Sequence, residues 1–158
     1  MSGNDTAGIR FHPPFLHAIG FALGWIAAGV FWSWPIAAPA FRGIRLGVGV
    51  ALIALGLSIA LWAVLEMRRA RTGIPVHHPV TALVTSGPFA WSRNPIYLAL
   101  NCAYLGAAVL LNSYWPILFL APVVYALERL VIAREERFLA TKFGDAYRSY
   151  AGHVRRWL

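Results

Sequence analysis

Long apolar segments alternate with short polar or proline-rich segments along this chain. We place the apolar segments at about 15–34, 44–65, 96–111 and 115–132. Each approaches the roughly 20 apolar residues that a helix needs to cross about 30 Å of hydrocarbon. Pro35, the Asn112-Ser113 pair and a basic cluster after the second segment mark the ends. The pattern predicts an all-α integral membrane protein with four transmembrane helices.

Two other segments break this pattern. The stretch 71–95 is rich in proline, glycine and polar residues, and it is longer than most connections in compact proteins, so we expect it to be functional. Over 133–152, apolar residues recur at spacings of three and four, which predicts an amphipathic helix that lies on the membrane surface or on the helix bundle. We therefore interpret residues 1–158 as a single membrane domain.

Composition and charge agree with a membrane protein. The chain is 59% hydrophobic and only 13% charged, which does not suit an ordinary soluble globule. In the four-span topology, 12 of the 14 Lys and Arg residues fall on one side, and only Arg42 and Arg45 on the other. The positive-inside rule then predicts an inner or plasma membrane protein with both termini and the loop 71–95 cytoplasmic. The net charge of +8 is explained by this asymmetry, and we expect no nucleic-acid partner.

The lone cysteine, Cys102, lies in an apolar segment. One cysteine excludes an intrachain disulfide and a zinc site built on several thiolates, and we predict no metal site.

The end of the polar stretch has the local features of a helix start. Asn94 suits the N-cap position, Pro95 the first helical position, and Gly87-Pro88 a turn. On these features alone, Arg93 is an interfacial anchor whose head reaches lipid phosphates.

Carboxylates follow the fourth apolar segment. Glu135 and Glu136 lie beside an apolar helix, where a charge is costly unless it has a partner, so each is a candidate for function. The alternative is simple ion pairing near the interface, which we favour for Glu136. The expected partners are the neighbouring cations Arg129, Arg134, Arg137 and Lys142.

Together these two regions resemble the isoprenylcysteine carboxyl methyltransferase and phospholipid methyltransferase family of integral membrane enzymes. The resemblance covers residues 66–157. It rests on three motifs in order: Leu83-Val84-Thr85-Ser86-Gly87; Arg93-x-Pro95-x-Tyr97; and Glu135-Glu136-x-x-Leu139-x-x-x-Phe143-Gly144-x-x-Tyr147-x-x-Tyr150.

The resemblance implies a cytoplasmic S-adenosylmethionine site, with Arg93 and Glu135 as the catalytic residues. The cofactor contacts that it implies are Thr81, Ala82, Leu83, Val84, Gly87, Phe89, Asn94, Pro95, Ile96, Tyr97 and Glu135. The chemistry agrees, because a carboxylate suits the cofactor's ammonium or ribose and aromatic rings suit its adenine or sulfonium. For an amine or thiol acceptor, Glu135, His77 and His78 are the candidate bases, although each histidine is better explained as a hydrated loop residue.

Two positions depart from the family pattern. Carboxyl-methylating members often have His at the position of Asn94 and Arg at the position of Val131. That Arg would hold a substrate carboxylate, so its loss argues against a prenylcysteine carboxylate as the acceptor. We therefore predict methyl transfer to a lipophilic acceptor, either a carboxylate, an amine or a thiol, among membrane lipids. The alternative is a non-catalytic membrane scaffold or lipid-binding protein that retains the family fold, and the oligomeric state stays open.

Overall fold

The regular structure in the described part of the chain is entirely helical. The computed structural model describes residues 12–73 and 80–158. The helices are α1 (Pro13–Val30), α2 (Arg42–Arg69), α3 (Pro95–Leu111), α4 (Tyr114–Leu127), α5 (Ala133–Phe143) and α6 (Asp145–His153). Short 3-10 turns lie at Pro39–Phe41 and Gly87–Ala90, and a π-helical turn at Glu128–Ile132 joins α4 to α5.

Three of the helical segments are long and apolar enough to cross a membrane: Pro13–Val30, Pro39–Arg69 and Tyr114–Phe143. The apolar helix α3 has 17 residues, which at the α-helical rise gives a length of about 25 Å. The membrane character and the all-helical class are thus confirmed for the described residues. Three helices, rather than the predicted four, have the length of a full crossing.

Glycines allow α2 and α3 to pack closely along much of their length. A Cβ at Gly56 would lie 2.6 Å from the carbonyl oxygen of Ala99, and one at Gly106 would lie 2.7 Å from the carbonyl oxygen of Gly49. Small residues at such contacts let helix backbones approach in lipid, where the hydrophobic effect does not drive association. This contact fixes the start of α3 against the end of α2.

The second close helix pair is α1 and α4. A Cβ at Gly24 would lie 2.5 Å from the Cα of Pro116, so the two helices meet almost backbone to backbone. A polar link joins α1 to α3, with His17 Nε2 lying 2.9 Å from Asn101 Oδ1. These contacts close the bundle around α3.

The polypeptide reverses direction at its carboxyl end. The helix that begins at Tyr114 continues through the π-helical turn to Phe143. Gly144, with φ +55°, then separates α5 from α6, so the range 133–152 holds two helices where the sequence predicts one. Beyond α6 the chain returns to the bundle, where the indole Nε1 of Trp157 donates a 2.7 Å hydrogen bond to Glu128 Oε1.

The glycine contact between α2 and α3 gives a stability prediction. We expect Gly56→Ala to lower the free energy of unfolding by about 1–3 kcal/mol, because the added methyl overpacks the helix contact. Gly47→Ala is the matched control, since no atom lies within 4 Å of a Cβ at that position, and better helix propensity favours it by about 1 kcal/mol. Thermal unfolding in detergent measures both. Equal melting temperatures for the two variants would contradict the close contact.

Candidate functional site

A cavity of about 260 Å³ lies where the start of α3, the preceding loop and the helices α5 and α6 meet. Its volume is close to the lower end of the range for small-molecule pockets, roughly 300–1,000 Å³. Its walls are mostly apolar, with a few polar groups. The lining residues are Pro13, Pro14, Met67, Thr72, Gly73, Val80, Ala82, Leu83, Val84, Phe89, Arg93, Asn94, Pro95, Ile96, Tyr97, Leu100, Glu135, Glu136, Leu139, Tyr147 and Tyr150.

A buried carboxylate forms one wall of the cavity. Glu135, in the first turn of α5, is only 6% exposed, and its Oε1 accepts a 2.6 Å hydrogen bond from the hydroxyl of Tyr97. Pro95 starts α3 at its first position, so that Tyr97 lies in the first turn and faces α5. A buried carboxylate is costly unless hydrogen bonds or charges compensate it. Within the described ranges, no residue donates to Oε2, which leaves this oxygen available to a ligand.

The cavity also contains a cation, Arg93, with an unused donor. Arg93 follows the 3-10 turn Gly87–Ala90, and its side chain is only 18% exposed. One guanidinium nitrogen lies 3.4 Å from Glu136 Oε1. The buried Nε has no hydrogen-bond partner among the described residues. Because a buried donor without a partner is costly, this group is available for an anionic ligand. Arg93 is thus part of the cavity and not a lipid-facing anchor.

Glu136 has a different set of partners from those expected. It forms a two-point ion pair with Arg156, at 2.6 Å from Nη2 to Oε2 and 3.1 Å from Nε to Oε1, in addition to the contact with Arg93. The prediction that Glu136 is ion-paired is confirmed, but the partners that the described residues supply are Arg93 in the loop and Arg156 in the carboxyl-terminal segment. Hydrogen bonds to Glu136 raise the pKa of Arg156, which therefore stays charged.

The carboxyl-terminal segment also holds the loop before α3. The carbonyl of Arg155 accepts from the backbone N–H of Arg93 at 3.0 Å. The carbonyl of Arg156 accepts from the side chains of Asn94 at 3.0 Å and Ser92 at 3.2 Å. The side chain of Asn94 therefore points to the carboxyl terminus and does not cap α3 as predicted.

Two tyrosines of α6 complete the aromatic part of the wall. The hydroxyl of Tyr150 donates a 2.7 Å hydrogen bond to the carbonyl of Phe89 and so ties α6 to the loop. Burial raises the pKa of Tyr147, and so does the charge of Glu136, while Arg93 acts in the opposite direction. Burial also raises the pKa of Tyr150. Both side chains are neutral phenols at physiological pH.

Most of the residues predicted for the site line this cavity. The structure brings together Ala82, Leu83, Val84, Phe89, Arg93, Asn94, Pro95, Ile96, Tyr97 and Glu135. Thr81 and Gly87 lie outside the lining. The backbone N–H and hydroxyl of Thr81 bond to Thr72 and Arg71, and Gly87, with φ +59°, packs on Glu66. His77 and His78 lie outside the described residues.

Several lining residues have no clear signal in the sequence. Met67 and Leu100 are apolar residues within apolar helices, and periodicity cannot distinguish a cavity wall from a packing contact. Thr72 lines the cavity at the other end of the loop, where its hydroxyl accepts from the N–H groups of Thr81 and Ala82. Tyr147 and Tyr150 could have been found from the sequence, since they belong to the third motif. That motif did not, however, assign either residue to the cofactor site.

The comparisons with known proteins identify the class of this helical membrane protein. The family model for phospholipid methyltransferases matches residues 44–146. The chain therefore belongs to the phospholipid methyltransferase family. The matched range runs from α2 to the start of α6 and contains all the loop, α3 and α5 residues of the cavity.

Two relatives match shorter stretches. An uncharacterized protein of Haemophilus influenzae is 38% identical over 63 residues, which are 40% of this chain and 100% of that protein. Protein-S-isoprenylcysteine O-methyltransferase of Schizosaccharomyces pombe is 34% identical over 72 residues, 46% of this chain and 30% of that protein. No solved structure gives a significant match.

The hydrogen bond between Tyr97 and Glu135 can be tested directly. We expect Tyr97→Phe to lower the free energy of unfolding by about 1–3 kcal/mol, because it removes the partner of a buried carboxylate. Tyr125→Phe is the control, since that ring is 61% exposed. Chemical denaturation in detergent measures the difference. A Tyr97→Phe variant as stable as the control would contradict the bond.

Proposed function

We propose that this protein is a membrane methyltransferase that uses S-adenosylmethionine and methylates a lipophilic acceptor. The observation that carries the proposal is the joint presence of Glu135 and Arg93 in one cavity, within the residues that match the family. Both side chains have hydrogen-bonding capacity that the described residues do not use. Such convergent polar groups in an apolar pocket are typical of a ligand site.

The residues present fit the chemistry of S-adenosylmethionine. This molecule has an ammonium, a carboxylate, a sulfonium and an adenine. Glu135 Oε2 suits the ammonium, and the guanidinium of Arg93 suits the carboxylate. Phe89 and Tyr147 offer aromatic surfaces for the adenine or the sulfonium. Leu83 and Val84 line the cavity, and none of the described hydrogen bonds uses their backbone N–H groups.

A lipophilic acceptor suits the surroundings of the cavity. A shallow apolar groove between α1 and α3, lined by residues such as Phe21, Trp25 and Ala103, shares Leu100 with the cavity. Helix faces around it expose large apolar side chains, as expected for contact with lipid tails. We propose that the acceptor approaches from the bilayer along this side.

The mechanism requires mainly alignment and exclusion of water. The cofactor supplies a methyl group on a good leaving group, so the protein needs no general acid. Arg93 and Glu135 orient the reactants by holding groups of opposite charge, while Ile96, Leu100 and Leu139 exclude water. An amine or neutral thiol acceptor must also lose a proton. Because the proposal pairs Glu135 Oε2 with the cofactor's ammonium, it assigns Glu135 no role as the base.

We also propose the four-span topology, with α3 as a short fourth span and the cavity on the cytoplasmic side. The distribution of basic residues supports this orientation. In the four-span topology, 12 of the 14 Lys and Arg residues fall on the side of the cavity, and Arg42 and Arg45 fall on the other side. Arg45 also bonds to the carbonyls of Val109 and Leu110, which places the end of α3 beside the start of α2.

Binding of the product S-adenosylhomocysteine tests the function. We expect micromolar affinity for the purified protein, about −8 kcal/mol. We expect Glu135→Gln to weaken it at least tenfold, because the neutral amide cannot pair with the ligand's ammonium. Asp145→Asn is the control, since its carboxylate is 97% exposed. Isothermal titration measures all three.

Labelled methyl transfer into a lipid extract then identifies the acceptor.

Absence of binding by the unaltered protein would contradict the proposal and favour a non-catalytic member of the family. Equal binding by Glu135→Gln and Asp145→Asn would remove Glu135 from the site.

Cysteine labelling tests the orientation. In a Cys102→Ser background, we expect Asp145→Cys to react with a membrane-impermeant maleimide in inside-out vesicles, and Arg42→Cys to react in intact spheroplasts. The two positions lie on opposite sides of the predicted topology. The reverse pattern would invert the orientation, and labelling of both from one side would contradict the spans.

A further inference from the structure

We propose that Arg156 is a positioning residue that keeps Arg93 available to the cofactor, an inference that rests on the proposed function. Arg156 does not line the cavity, whereas Arg93 and Glu136 do. Arg156 acts through Glu136, whose carboxylate both arginines contact.

The distances show that the two arginines do not share Glu136 equally. Arg156 makes two contacts, at 2.6 and 3.1 Å, in the forked geometry that carboxylates prefer. Arg93 makes one longer contact, at 3.4 Å. Glu136 is therefore held mainly by Arg156, and the guanidinium of Arg93 retains the buried Nε as an unused donor among the described residues.

The backbone around Arg156 fixes this arrangement independently of its side chain. Its carbonyl accepts from Asn94 and Ser92, and the next residue, Trp157, bonds to Glu128. A substitution at Arg156 can therefore remove the guanidinium while these hydrogen bonds remain. The side chain is 38% exposed, so a neutral replacement has room.

Loss of the Arg156 side chain would leave Glu136 with Arg93 as its nearest cation in the described part of the chain. The guanidinium of Arg93 would then pair more closely with Glu136, and the cofactor's carboxylate would have to compete for it. Cofactor affinity should fall although no residue of the cavity wall has changed.

The experiment compares S-adenosylhomocysteine affinity in full-length variants. We expect Arg156→Gln to weaken binding about tenfold, a change within the range for residues of one ion-pair network. Arg155→Gln is the matched control. It removes the same charge one position earlier. In the described part of the chain, the Arg155 side chain makes a single hydrogen bond, at 3.5 Å to the carbonyl of Leu158. We expect its affinity to stay within about twofold of the unaltered protein.

A second substitution separates positioning from a merely structural role. Adding Glu136→Gln to Arg156→Gln removes the competitor for Arg93, so we expect affinity to recover to within about threefold of the unaltered protein. A structural role predicts a further loss in the double variant. Equal affinities for Arg156→Gln and Arg155→Gln, or no recovery in the double variant, would overturn the inference.

A measurement without ligand distinguishes failure of this inference from failure of the proposed function. In ¹⁵N spectra of the detergent-solubilised protein, the Nε–H signal of Arg93, assigned by its loss in Arg93→Lys, should shift in Arg156→Gln and not in Arg155→Gln. An unchanged signal overturns the positioning role. Absence of S-adenosylhomocysteine binding by the unaltered protein overturns the proposed function, while the Nε–H signal still decides whether Arg156 positions Arg93.

Discussion

The placement of a buried carboxylate, Glu135, beside a partly buried one, Glu136, at the start of α5 is the constraint on which the site depends. A carboxylate withdrawn from water needs hydrogen bonds or cations. Glu135 receives a hydrogen bond from Tyr97 on α3, and Glu136 receives ion pairs from the loop and from the carboxyl terminus. Tyr97 lies 38 positions before Glu135, close to Arg93, and Arg156 lies 20 positions after Glu136. The carboxylates therefore join the start of α3 with its preceding loop, and the carboxyl-terminal segment, to the start of α5, and the cavity lies between these parts.

The helix packing makes this junction possible. Glycine contacts bring α3 against α2, so the start of α3 lies beside the end of α2 and faces the cavity. The hydroxyl of Ser86 bonds to Glu66 on α2, which holds the loop at a second point. The π-helical turn before α5 changes the register between the apolar helix α4 and the charged helix α5. Its residues Val131 and Ile132 are fully buried and form part of the core.

The structure shows where Val131 lies, the residue at which family members often have an arginine. A cation at this position could hold an acceptor carboxylate, but the valine has no exposed surface and does not line the cavity. Among the described residues, Arg93 is the only Lys or Arg in the lining. In our proposal, its guanidinium pairs with the carboxylate of the cofactor. Within residues 12–73 and 80–158, the cavity therefore offers no second arginine or lysine for a carboxylate acceptor.

The sequence predicted the helical class and about half of the described cavity lining, ten residues of 21, because apolar segments, prolines and the three motifs are local signals. It did not predict the pairing of Glu136 with Arg156, since the chain reversal at Gly144 places these residues together through tertiary structure. It also predicted that Asn94 caps α3, but the side-chain amide of Asn94 instead donates to the carbonyl of Arg156, 62 positions away. Gly87 ends the first motif and Thr81 lies just before it, but both shape the loop and do not line the cavity. A motif thus indicates the region of the protein in which a residue lies, whereas the atoms that the residue contacts depend on the fold.

An experimental structure with S-adenosylhomocysteine tests the central claim most directly. We expect ligand density in the cavity between the loop before α3 and the start of α5, with the ligand's ammonium at Glu135 and its carboxylate at Arg93. Density at another place, or a cavity that stays without ligand under conditions where titration shows saturation, would contradict the proposed site.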